Sequence, residues 1–356
     1  MRWERVEELA GRAPSFADLR FHRLELVAAR RLRERGEPLS PQLRDAERDR
    51  VLIDLAAHDV LRRIRRAYPG RLVLFKGPEA AARYPAAALR PYCDLDLLAD
   101  DAAAAHRALL DAGFAPTGMW APHVDLHHLQ PLRWPGLPLG VEVHSRPHFP
   151  DGLRAPSVSE LLDSTVPARF SDGIVDAPDP ATHALLAATH AWAHAPLGHI
   201  GQLVDVALLA LEVEPERLDA LARRWGCRRL WRITQMAIDA LFHDAPMPAI
   251  ARLCAPHLQT VRERTVAERH IEEVVSPLLG LPAGRGAMQS ARALARRVRR
   301  GDEETWPHKL MRTRRALRHA RLRRSEHEAR LPPDDRQIGG FKGLQPSPVP
   351  EREVRT

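Results

Sequence analysis

Residues 72–98 read LVLFKGPEAAARYPAAALRPYCDLDLL, and this stretch decides the fold. The apolar run Leu72-Val73-Leu74-Phe75 has the make-up of a short buried strand. Lys76-Gly77 follows as a turn, and Pro78 suits the first position of a helix. A second strand, Tyr92 to Ala99, carries Asp94 and Asp96 two residues apart. Side chains alternate along a strand, so the two carboxylates share one face while Leu95 and Leu97 share the other. The same alternation sends Cys93 into the core with Leu95, as an inert thiol. Two carboxylates on one strand face, beside a glycine-led helix start, can hold a divalent cation against a phosphate chain. A lone Asp-x-Asp also occurs on solvated strand faces and in turns; the Lys-Gly turn upstream lifts this one above that background.

Outward from this stretch, residues 71–150 alternate in type. DDAAAAHRALLDAGF (100–114) is an Ala-rich helix with acids at its start and Gly113 at its end. HVDLHHLQPLRW (123–134) and LGVEVHSR (139–146) show strand alternation on either side of a Pro-Gly turn. Residues 1–70 are helical, as FADLRFHRLELVAARRLRERG (16–36) illustrates, and end in the turn Tyr68-Pro69-Gly70. Helical periodicity returns over 180–280. The predicted class is α/β (α+β), a small mixed sheet flanked by helical regions. The expected division is a helical region 1–70, an α/β core 71–176, a helical domain 177–287, a basic helical arm 288–330 interrupted near Gly301 and Pro307, and a disordered tail 331–356.

The chain of 356 residues can bury a sizeable core. It has no run of about 18 apolar residues, so no membrane span is expected. The start, MRWERVEELAGRAPSF, lacks the apolar stretch of a secretory signal. Cys93, Cys227 and Cys254 are scattered and form no CxxC, which suits a reducing cytoplasm. The net charge is +8, yet residues 285–330 alone hold 15 Lys+Arg against 5 Asp+Glu. The basic character is therefore local. That segment has one aromatic, Trp306, where single-strand binding uses several as stacking platforms. A solvated helix or an arm docked on an acidic surface is the first reading, and weak nucleic-acid contact through 285–330 the second. Of the 54 basic residues only Lys76, Lys309 and Lys342 are lysine, so a lysine at the strand-to-helix turn stands out.

Glu142 fits as a third acid. In VEVHSR, Val141 and Val143 face one way while Glu142, His144 and Arg146 face the other. A solvent-facing polar strand face is the plain alternative. Arg90, four residues before Asp94, can reach phosphate or pair with an acid. His190 and His194 are four apart on a helix, with His183 seven residues earlier, a spacing that would suit zinc. The run is HAWAH without the glutamate of an HExxH motif, and packing or pocket histidines are favoured. His123, Asp125 and His127 alternate on one strand face, bordering the site or forming a polar face.

The set Lys76-Gly77, Tyr84-Pro85, Arg90, Asp94-Leu95-Asp96-Leu97-Leu98, Gly113-Phe114 and Val141-Glu142-Val143-His144, followed by His190 and Leu203-Val204-Asp205, resembles a bacterial nucleotidyltransferase-like family of the DNA polymerase beta superfamily. The resemblance spans roughly residues 45–215. It implies a nucleotidyltransferase core in which Asp94 and Asp96 ligate metal, Glu142 is the third acid, as base or ligand, and Lys76, Gly77 and Arg90 meet the nucleotide. His144 and His190 would contact substrate or tune these groups. The turn departs from the wider superfamily, which uses Gly-Ser or Gly-Gly. The implied activity is Mg²⁺- (or Mn²⁺-) dependent transfer of an NMP from an NTP, such as ATP, to a small-molecule, peptide or RNA acceptor, with release of pyrophosphate. The alternative is a nucleotide- or nucleic-acid-binding module without turnover that uses the fold and the basic arm. A zinc hydrolase on His183, His190 and His194 is a third, weaker idea.

Overall fold

The structure, a computed structural model, describes residues 1–117, 127–171, 173–299, 305–323 and 326. Among them seven strands form one mixed sheet: β1 (Leu72–Leu74), β2 (Asp94–Ala99), β3 (Ala115–Pro116), β4 (Leu132–Arg133), β5 (Gly140–His144), β6 (Thr165–Pro167) and β7 (Asp176–Pro178). Their order across the sheet is β3-β4-β5-β2-β1-β7-β6. β2 runs antiparallel to β1 and parallel to β5, so the two acid-bearing strands lie side by side near the middle. The α/β class expected from sequence is the class observed.

Alternation sorts the sheet into two apolar faces. Leu72, Leu74, Leu95, Leu97, Ala99, Val141 and Val143 pack with Val60, Leu61 and Ile64 of the helix Pro41–Ala67 and with Ala105 and Leu109 of the helix Ala102–Asp111. Val73, Phe75 and Leu98 point the other way, into a larger core shared by the N-terminal helices and the helices Pro180–His194, Ile200–Ala210 and Arg228–Phe242. Asp94 and Asp96 are in phase with Leu98, so the acid face looks toward the helix Pro180–His194.

Several expectations change. The helix expected over 16–36 is two, Phe16–His22 and Glu25–Glu34, with Arg23 in the left-handed region at φ 58° between them. Tertiary contacts set that bend: the ring of His22 bonds the Arg262 carbonyl (3.0 Å) and accepts the Ile200 N–H (3.3 Å). Of the strand expected over 123–134, only β4 and a single bridge from His128 to His144 are strand-like among the described residues; His123 and Asp125 lie outside them. β3, β6 and β7 are additions. Cys93 is exposed rather than buried, because β2 begins at Asp94 and the alternation does not extend back to it. Pro307 sits in the first turn of the helix Trp306–Arg318, where its missing N–H costs nothing, and the helix before it, Ala283–Val298, has already ended. Residues 300–304 and 327–356, with Gly301 and the tail, are outside the described residues.

Glu25 opens its helix from the interior, 8% exposed, with Oε2 unbonded. Burial pushes its carboxyl up to about 7, against the pull of its own backbone N–H and of Arg23 and Arg20. A pKa raised on folding favours the folded state at low pH; that contribution is complete below the unfolded value of about 4.3 and is lost as pH rises through about 7. Glu25→Gln is therefore expected to gain stability over the wild type by roughly 2–3 kcal/mol between pH 5 and pH 8, read from urea denaturation at both. An equal difference at the two pH values would refute it.

Candidate functional site

β1 delivers the chain to a turn that only glycine can make. Gly77 has φ +59°, and a Cβ there would lie 2.7 Å from the Asp94 carbonyl oxygen. The turn is tied down from several sides. His183, fully buried, donates from Nε2 to the Phe75 carbonyl (2.8 Å), which fixes its tautomer. Arg90 donates from Nη1 to the Gly77 carbonyl (3.0 Å). Glu79, also fully buried, accepts the Phe170 N–H (3.0 Å) and pairs with Arg83.

The turn places Lys76 over the acid strand. Its Nζ donates to Asp96 Oδ1 at 2.5 Å, and the same oxygen accepts from His144 Nε2 at 2.9 Å. Asp96 is 2% exposed. Burial works against its ionisation, but the Lys76 ammonium and the His144 bond outweigh that and hold the carboxyl well below the usual range. Glu142 is the cross-strand partner of Asp96, and its Oε2 lies 3.6 Å from His144 Nε2. Asp96, Glu142 and His144 each offer a ligand atom within 4.8 Å of the others. Asp94 stands one step along the same face, opposite Gly140, whose lack of a side chain leaves the space open. Burial and then the charges of Asp96 and Glu142 push the Asp94 carboxyl up to about 7.

The donor set is the test of fit for a cation. Asp96 and Glu142 come together with His144, and Asp94 stands next along the same face. Hard carboxylate oxygens of this kind fit Mg²⁺ or Mn²⁺. Asp94, Asp96 and Glu142 would hold it, with His144 fixing the Asp96 carboxylate.

Arg90, expected at phosphate or in an ion pair, is in the ion pair. It is 5% exposed and forks onto Asp205, Nε to Oδ1 and Nη2 to Oδ2, both at 2.8 Å. Tyr84 Oη donates to Asp205 Oδ1 at 2.8 Å. Arg90 thus joins the turn to the helix Ile200–Ala210. A lone acid in the apolar run IGQLVDVALLA was the signal for Asp205, since a buried carboxylate needs a partner. Arg50, 3% exposed, holds the loop before β2 through the carbonyls of Ala87 and Arg90, both at 2.9 Å.

Beyond His144 lies a group of rings: His127, His148, His190 and His194. His183 is not among them, being tied to Phe75. Burial first, then mutual repulsion among the imidazoles, pushes His127 down to about 2. His148 had no sequence signal, because it meets the others only through the fold.

No helix among the described residues is long and apolar enough to cross a membrane. No curated protein and no solved structure matches the chain. A family model described as "Uncharacterised nucleotidyltransferase" matches residues 16–243. That span takes in the turn, both acid strands, the ion pair to Asp205 and the histidine helix, and the chain belongs to this nucleotidyltransferase family.

Proposed function

We propose that the protein transfers an NMP from an NTP to the hydroxyl or similar nucleophile of an acceptor, releasing pyrophosphate. The observation that carries this is the side-by-side placement of Asp94, Asp96 and Glu142 on parallel strands, beneath a glycine turn bearing Lys76. A divalent cation bound at these acids supplies the positive charge that screens the triphosphate and steadies its charge as the bond breaks. Lys76 is poised at Asp96, half-buried, and its compact ammonium can pass from carboxylate to phosphate. His144 keeps its bond to the Asp96 carboxylate when Lys76 turns to phosphate. The acceptor oxygen attacks the α-phosphorus in line, the bond to the bridging oxygen breaks, and the acceptor proton passes to a carboxylate. Glu142, the less buried acid of the close set, is assigned as that base.

The test is thermal stability of the wild type and of Asp94→Asn/Asp96→Asn against each NTP with Mg²⁺ or Mn²⁺. A ligand that binds the native state raises its stability, by about 2.7 kcal/mol at a hundredfold excess over Kd. The expected result is a metal-dependent shift in the wild type that the double variant lacks. A nucleotide shift kept in full by the double variant would favour binding without turnover.

A further inference from the structure

We infer that His127, His148 and His194 form a second metal site, separate from the carboxylates, for a borderline transition cation of the zinc class. One ligand nitrogen of each lies within 4.8 Å of the others. Ligands on one tetrahedral ion with bonds of about 2.0–2.1 Å sit about 3.4 Å apart, so modest side-chain rotations close these three around an ion. They arrive from three segments: His127 beside the bridge to β5, His148 just after β5, and His194 at the end of the helix Pro180–His194. No single helical periodicity explains the meeting.

One feature points to a ligand rather than to packing. The Nδ1 atoms of His148 and of the neighbouring His190 are buried without a hydrogen-bond partner. A polar atom buried in this way has given up water without gaining a partner, which an ion would supply. His127 and His148 stack with centroids 3.9 Å apart and planes 2° from parallel, so one ring must tilt before both turn a nitrogen to the same ion. His194 is exposed, which gives an ion a way in from solvent. The donors are nitrogen only. Such a set selects zinc, cobalt, nickel or copper ions over Mg²⁺, which the oxygen-rich acid face suits. His190, with its ring 4.4 Å from that of His194, is at hand as a fourth donor.

The inference rests on the imidazoles and stands apart from nucleotidyl transfer. The experiment uses the full chain, stripped with a chelator and titrated with Co²⁺ and then Zn²⁺. The expected result is one equivalent of Co²⁺ with the visible bands of a four- or five-coordinate nitrogen site, displaced by Zn²⁺ and indifferent to millimolar Mg²⁺. His148→Ala and His194→Ala should each weaken Zn²⁺ affinity by about 100-fold, and Asp94→Asn/Asp96→Asn should retain it. Because His194 is exposed, its variant decides the matter if His148→Ala does not fold. Absence of saturable Co²⁺ binding overturns the site, as does equal affinity in His194→Ala. Loss of binding in the carboxylate variant alone would assign the ion to the acids and overturn it too.

Discussion

Asp96→Asn is expected to lower the proposed NMP transfer by about 10²–10³-fold, the cost of removing one preorganised charge from a buried site. The asparagine keeps the shape, and its amide oxygen can still accept one of the two bonds at Oδ1. What it loses is charge. The acid face then offers less to a cation, and the Lys76 ammonium, 19% exposed, loses its nearest counter-charge. Backbone pairing with Glu142 does not depend on the side chain, so the sheet persists. Pyrophosphate release with an identified acceptor, alongside circular dichroism, measures the effect. Wild-type turnover in a folded Asp96→Asn variant would end the proposal.

A second large effect is expected away from the acids. Asp205→Ala removes the partner of a guanidinium that is 5% exposed, and the cost is about 3–5 kcal/mol, because an unpaired buried charge replaces a paired one. Tyr84 loses its acceptor as well. Removing both charges together, as Arg90→Met/Asp205→Leu, should recover most of that loss, since a buried ion pair is close to balanced against an apolar pair of similar volume. Urea denaturation of the single and double variants gives the comparison. A single variant that costs less than about 1 kcal/mol would show the pair to be screened by solvent. The double variant should still bind nucleotide poorly, because the Gly77 carbonyl loses its bond from Arg90.

The central strands were legible because alternation and burial agree there. Leu95, Leu97, Val141 and Val143 share one core, which fixes the acids on the opposite face. Gly77 was legible as a turn, though its contact with the Asp94 carbonyl was not, since that depends on how β1 and β2 pair. β6 and β7 have three residues each and end in proline, too short for a period-two signal. β7 pairs with β1 from about a hundred residues downstream, a contact that no local pattern encodes. Cys93 was misplaced by carrying alternation one residue past the strand. The spacing of His183, His190 and His194 does not reveal the close set His127, His148 and His194, because His183 serves a backbone carbonyl and His127 and His148 come from other segments.

The bond from Arg90 to Asp205 spans 115 residues, and this separation has a consequence for synthesis. At about 5–20 residues per second, the ribosome releases Asp205 roughly 6–23 seconds after Arg90. Both acid-bearing strands are made within that interval, while the carboxylate that will seat the arginine is still to come. Val73 and Leu98 are likewise uncovered until the later helices emerge. Apolar surface stands open for that interval, and chaperone contacts on the nascent protein should be found there.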